Sequence, residues 1–270
     1  MIAVLVDSHC HLDFDSFDED RAETIQRALD AGVGTIVTIC TRLSRFEEVR
    51  NIARGNDRIW CSVGIHPHQV AEEVRAETKN LVALAADPKV VGIGETGLDY
   101  FYDTSPRDDQ QTSFRAHIAA ARETGLPLIV HTRDADEDMA AILTDEYAKG
   151  PFPGVLHCFT SGRKLAETAL ELGFYISLSG IITFKNAEDI REIIRDVPLD
   201  RLLVETDSPF LAPIPNRGKR NEPSFVVHTA EKAAEIKGIT TDALAEATTD
   251  NFFRLFSKAS RPTNAAATVT

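Results

Sequence analysis

Histidines and carboxylates in this chain gather where apolar runs end, and that placement is where chemistry becomes possible. The apolar run at residues 2–6 leads into Asp7-Ser8-His9-Cys10-His11-Leu12-Asp13. Side chains of a strand alternate between faces, so Asp7, His9 and His11 project to one side. Two neutral imidazoles on one face make half of a metal site; alone they would equally suit two unrelated surface histidines. The pattern recurs. His66 follows the run 59–64, Glu95 and Asp99 follow 90–94, and His131 with Arg133 follows 127–130. His157 follows 154–156, and Glu205 and Asp207 close the run 202–205. Of the 8 histidines, His117 and His228 fall in helical patterns and the others sit at or just beyond such ends.

Taken singly, His131 and His157 would pass for core histidines, Glu95 for a turn carboxylate and Asp207 for a turn cap. Taken together they form a donor set suited to Zn²⁺, Mn²⁺ or, less naturally, Mg²⁺. Four histidines, a glutamate and an aspartate exceed the needs of one open site. Glu95 is placed to bridge two divalent cations through its two oxygens, and cations about 3.5–4 Å apart can clamp a phosphoryl or acyl oxygen. Cys10 has the opposite parity to His9 and His11 and is expected to face the helices; Cys158 is expected to be a small buried residue.

These residues need a scaffold that brings strand ends together. Eight β-rich runs, at 2–6, 35–40, 59–64, 90–94, 127–130, 154–156, 174–178 and 202–205, alternate with helical patterns at 19–31, 43–53, 73–86, 108–124, 136–149, 163–172 and 187–196. Further helical patterns cover 225–237 and 241–257. Such alternation signals a parallel sheet. Eight units predict a closed α/β (β/α)8 TIM barrel with extra C-terminal helices, and no Gly-rich phosphate turn follows the first strand as an open doubly wound sheet would want. Residues 1–258 read as one domain, and the Ala/Thr/Pro-rich tail 259–270 as disordered.

Composition bounds the function. With 43% hydrophobic and 26% charged residues, the 270-residue chain can build a large core. A formal charge of −13 argues against a broad nonspecific nucleic-acid surface, though not against a substrate held locally. No run is long enough to span a bilayer, no secretory leader is evident, and the four cysteines lack disulfide or CxxC spacing. A cytoplasmic monomer without membrane contact is the expectation.

The segments DSHCHLD (7–13), GIHPH (64–68), GETGLDY (94–100), LPLIVHTRDA (126–135), HCF (157–159), ETDSPFLAP (205–213) and RGKRNEP (217–223), in this order and spacing, resemble the TatD family of metal-dependent hydrolases within the amidohydrolase-like barrels. The resemblance implies a two-metal hydrolase, often described as a deoxyribonuclease. It implies that His9, His11, Glu95 and Asp207 hold one metal, and Glu95, His131 and His157 the other. His117 departs from the pattern, which more often has Gln there; it falls in a helical pattern and puts none of the ligands in doubt.

The expected reaction is hydrolysis of a DNA phosphodiester, from an end of a single strand, by metal-activated water. Asp207 would take the proton, with Glu95 and His66 completing the catalytic set. Asp7 and Glu205 would orient ligand imidazoles. His66, Arg133, Arg217, Lys219 and Arg220 are candidates for substrate contact. Tyr100, Phe101 and Tyr102 could stack a terminal base or pack under their loop; no usual stacking platform is identifiable. The alternatives are an ester or amide hydrolase, acting on aminoacyl-RNA or a small amide, and a non-catalytic metal-binding barrel.

Overall fold

The apolar runs form strands because β-branched residues fit a pleated surface buried on both faces. A computed structural model describes residues 4–262. Its first half runs β1 (Leu5–Cys10), α1 (Arg21–Asp30), β2 (Val33–Thr38), α2 (Phe46–Arg54), β3 (Ile59–Val63), α3 (Thr78–Ala85), β4 (Val90–Asp99) and α4 (Arg107–Thr124). The second half continues with β5 (Leu128–Arg133), α5 (Asp136–Ala148), β6 (Gly154–Leu156), α6 (Arg163–Glu171), β7 (Tyr175–Leu178), α7 (Glu188–Asp196) and β8 (Leu202–Val204). Two helices, α8 (Val226–Lys237) and α9 (Thr241–Leu255), follow.

The strands pair in chain order, all in parallel. The seam closes just beyond β8, where Cys10 bridges Ser208, the Asp207 amide donates to the His9 carbonyl (2.9 Å), and the His11 amide donates to the Ser208 carbonyl (2.8 Å). The expected (β/α)8 barrel is the fold.

Inside the barrel each strand contributes one residue to an apolar floor: Val6, Val37, Trp60, Val91, Ile129, Val155, Tyr175 and Leu203. Phe252 and Phe256, at the end of α9, pack into it from below. A second apolar layer, including Leu5, Cys10, Ile36, Ile93 and Leu128, lies between strands and helices. Cys10 therefore faces the helices, as its parity predicts. Among the described residues no helix is long and apolar enough to cross a membrane.

Three boundaries differ from expectation. β4 runs on to Asp99, where the Gly-rich sequence reads as a turn after Gly94; it stays paired with β5 up to Asp99↔Arg133. α3 starts at Thr78 rather than residue 73, because the preceding stretch has no apolar stripe and its Val74 is 85% exposed. Ala259 is buried in the floor cluster and Arg261 pairs with Asp250, so the chain packs beyond 258. Residues 263–270 of the expected tail, and residues 1–3 of the first run, lie outside the described residues.

Candidate metal centre

Above the floor, strand by strand, apolar side chains give way to donors. Simple alternation takes β5 from Ile129 to His131, the β6 line from Val155 to His157, and the β8 line from Leu203 to Glu205. In β1 a register shift between Asp7 and Cys10 intervenes, so that Val6 and His9, three residues apart, both reach the interior. In β4 a shift between Ile93 and Thr96 accompanies Glu95. Gly94 and Gly97 there adopt φ of +134° and +144°, and a Cβ on Gly94 would meet the Ile129 carbonyl oxygen at 2.6 Å. Glycine thus lets β4 lie close enough to β5 for Glu95 to reach His131.

Glu95 is 2% exposed, and its two oxygens face two separate groups. Oε2 faces His9 Nε2 at 3.3 Å and His11 Nε2 at 3.9 Å; Asp207 Oδ1 lies 3.7 and 3.3 Å from those same nitrogens. Oε1 faces His157 Nε2 at 2.8 Å, His131 Nδ1 at 3.1 Å and His66 Nε2 at 3.4 Å. Second hydrogen bonds fix which ring nitrogens carry lone pairs. His157 Nδ1 donates to Glu205 Oε1 (3.2 Å), leaving Nε2 free. His131 Nε2 donates to Asp99 Oδ2 (3.0 Å), leaving Nδ1 free. The two free nitrogens lie 3.4 Å apart beside Oε1. A cation there would take the place of the protons that otherwise pair these nitrogens with Oε1. Among the described residues, buried His9 Nε2 and Glu95 Oε2 find no well-directed hydrogen-bond partner. Imidazole and carboxylate donors arranged in this way fit divalent cations such as Zn²⁺ or Mn²⁺.

Within the cluster, carboxylates and imidazoles stabilise each other's charged forms. Burial pushes the Glu95 carboxyl up, but His157, His66 and His9 outweigh it and hold Glu95 well below the usual range. Asp207 is likewise lowered against burial, by the hydrogen bond from His11 and by the charge of His9. Despite burial, Glu95 and Glu205 raise His157 well above an ordinary imidazole. His66 is pushed down to about 4 by burial. The Nδ1 of His66 accepts the His68 amide (3.1 Å), so its Nε2 carries the proton and donates; it is not a ligand nitrogen.

The supporting residues divide. Glu205 bonds His157 and also accepts the Cys158 amide (2.8 Å) and the Ser177 hydroxyl. Asp7 does not touch an imidazole. It accepts the Thr206 amide (2.9 Å) and hydroxyl (2.6 Å), tying β1 to the segment that carries Asp207, and burial pushes its carboxyl up to about 8. Asp99, which no role was expected to fill, holds both His131 and His68 Nε2 (2.7 Å). Its position two turns of the pleat beyond Glu95 was the available signal.

A cavity of about 1300 Å³ opens over the cluster, lined among others by His66, Tyr102, Arg133 and Phe210. Arg133 lies at its mouth against the rings of Phe101 and Tyr102. The basic run of 217–220 does not line it. Arg220 pairs with Asp20 (2.7 Å) over the Phe17 ring, Arg217 lies against Phe184, and Lys219 makes only a backbone turn contact to Asn216.

A (β/α)8 barrel with a His/Glu/Asp cluster at the carboxyl ends of its strands is the setting of a metal-dependent hydrolase. The family described as TatD related DNase matches residues 6–257, and the chain belongs to that family. It is 47% identical to the metal-dependent hydrolase YcfH of Escherichia coli K12 over 93% of this chain and 95% of that protein. It is 36% identical to the 3'-5' ssDNA/RNA exonuclease TatD of a Rahnella strain, over 91% of this chain and 95% of that one. The crystal structure of YJJV, a TatD homologue of Escherichia coli K12, superposes with a TM-score of 0.88 at 31% identity, covering 95% and 99% of the two chains.

Proposed function

We propose that this protein hydrolyses phosphodiester bonds at an end of single-stranded DNA, with two divalent cations held across Glu95. The observation that carries the reading is that Glu95 Oε1 and Oε2 face two different sets of imidazoles. His9, His11, Glu95 and Asp207 would hold one cation, and Glu95, His131 and His157 the other. When bound, the cations supply Lewis acidity to a phosphoryl oxygen and acidify the attacking water.

The chain's own groups do the rest. Asp207, ionised and at the cavity wall, takes the proton of the water and returns it to the leaving oxygen. His66 donates its Nε2 proton to a phosphate oxygen, held in that tautomer by the His68 amide. Arg133, whose guanidinium meets rings rather than a carboxylate, supplies positive charge at the cavity mouth. The exonuclease name of the Rahnella relative supports the choice of a nucleic-acid substrate.

The test is a panel with purified, metal-reconstituted protein. A single-stranded DNA oligonucleotide should shorten from one end, and a carboxyl-ester and small-amide set should not turn over. Undiminished oligonucleotide hydrolysis after chelation, or turnover of esters or amides alone, would overturn the proposal.

A further inference from the structure

Two exposed aromatic groups stand at opposite ends of the imidazole cluster, and neither is used by the chemistry above. At one end, Phe14 stacks on His11 at 4.7 Å between ring centroids, and Phe210 meets Phe14 edge-on at 5.9 Å. His11 belongs to the group around Glu95 Oε2. Phe210 follows Asp207 by three residues on the segment that closes the barrel, and is 51% exposed. At the other end, Tyr102 meets His68 edge-on at 5.2 Å, and His68 in turn contacts His66 and His131 of the Oε1 group. Tyr102 is 55% exposed and carries the Arg133 guanidinium 4.9 Å from its centroid.

Large apolar rings exposed beside buried charge mark a binding groove. Rings of this size on both flanks of a phosphate-sized centre suit flat, unpaired bases, because every base presents a π-face whatever its identity. On the reading that the substrate is single-stranded DNA, we infer that Phe210, backed by Phe14, and Tyr102, backed by Arg133, stack the nucleobases on either side of the bond to be cut. The cavity of about 1300 Å³ has room for such a chain end. Duplex ends would be disfavoured, since paired bases cannot offer their faces to both rings. Specificity would rest on strandedness and not on sequence.

The experiment couples substrate and protein changes. Metal-loaded wild-type protein is given a single-stranded oligonucleotide and two versions in which one base flanking the cleaved bond is absent from its sugar. Loss of either base should raise KM roughly tenfold with a smaller change in kcat. In Phe210→Leu one of those losses should cost nothing further, and in Tyr102→Leu the other. Phe210→Trp and Tyr102→Phe should restore the base dependence. Both side chains are about half exposed, so these variants keep the core intact.

Equal KM for all three substrates in the wild type, or base-loss penalties undiminished in both leucine variants, would overturn the stacking assignment while the nuclease reading stood. No hydrolysis of any oligonucleotide would overturn both.

Discussion

The floor and the roof of the barrel interior are built from the same eight strands by opposite rules. The floor is mostly apolar and chosen for volume: Val6, Ile129, Val155 and Leu203 interlock with Phe252 and Phe256. Two to five residues further along the same strands, the roof buries Glu95, His9, His11 and His157. It is chosen for polar donors and acceptors, and His9 Nε2 and Glu95 Oε2 find no hydrogen-bond partner among the described residues. The floor holds the fold together, and the roof holds a buried charge cluster of the kind that binds divalent cations.

That contrast can be broken from either side. At the roof, Asp207→Asn should lower kcat on a single-stranded oligonucleotide by about 10³-fold or more, with the far-ultraviolet spectrum unchanged. Chelation should have a similar effect on rate and should also lower Tm, since a cation binds only the folded state. At the floor the signs reverse. Phe256→Ala should cost about 3–5 kcal/mol of stability in denaturant titrations, while kcat per folded molecule well below Tm stays within a factor of two.

A group on the barrel's outer layer sharpens the comparison through pH. His117 in α4 is fully buried, donates Nδ1–H to the Ser113 carbonyl (2.7 Å) and accepts the Ile65 amide at Nε2 (3.0 Å), steadying the chain just before His66. Burial pushes it down to about 4 from the ordinary 6.5. The unfolded chain then binds the extra proton between those values. The stabilisation is complete above pH 6.5 and is lost as pH falls towards 4, by up to about 3 kcal/mol. His117→Gln keeps a donor and an acceptor without titrating, so its stability should fall less than that of the wild type between pH 6.5 and pH 4.

Smaller effects follow. Glu205→Gln should weaken cation affinity or rate by about 10–100-fold, through a less firmly held His157. Arg133→Ala should raise KM several-fold at low salt. Arg220→Ala should leave KM alone and cost no more than about 1 kcal/mol, because its partner Asp20 is on the surface side of α1.

The sequence carried much of this, for a physical reason. His131, His157 and Glu205 lie two residues beyond interior apolar positions, and alternation alone takes them inward. His9 and Glu95 depend on register shifts that no periodicity encodes; their place was legible from residue type. Asp7 was expected to hold an imidazole, and instead bonds Thr206 across the seam. Parity gives the side of a strand but not which neighbour a side chain meets.

The run 217–220, expected as a candidate for substrate contact, does not line the cavity. Its charge is local in sequence, whereas the carboxylate that takes up Arg220 lies 200 residues earlier. Phe14 and Phe210, 196 positions apart, share a wall that only the closed barrel creates. The sequence therefore offered no signal for an aromatic platform there.

The seam beside Asp207 has a further consequence. His11 and Asp207 are separated by 196 positions, so a cation held between them, as proposed above, would be a clasp joining the first strand to the last and enclosing most of the chain. By the chain-entropy measure used for disulfides, a cross-link over a loop of that length restricts the unfolded ensemble by about 5 kcal/mol if it persists there. A cation does not persist there, and its release becomes coupled to opening of the barrel. Loaded protein should accordingly resist unfolding from either terminus, and the cation that serves the chemistry would also act as the fastener of the fold.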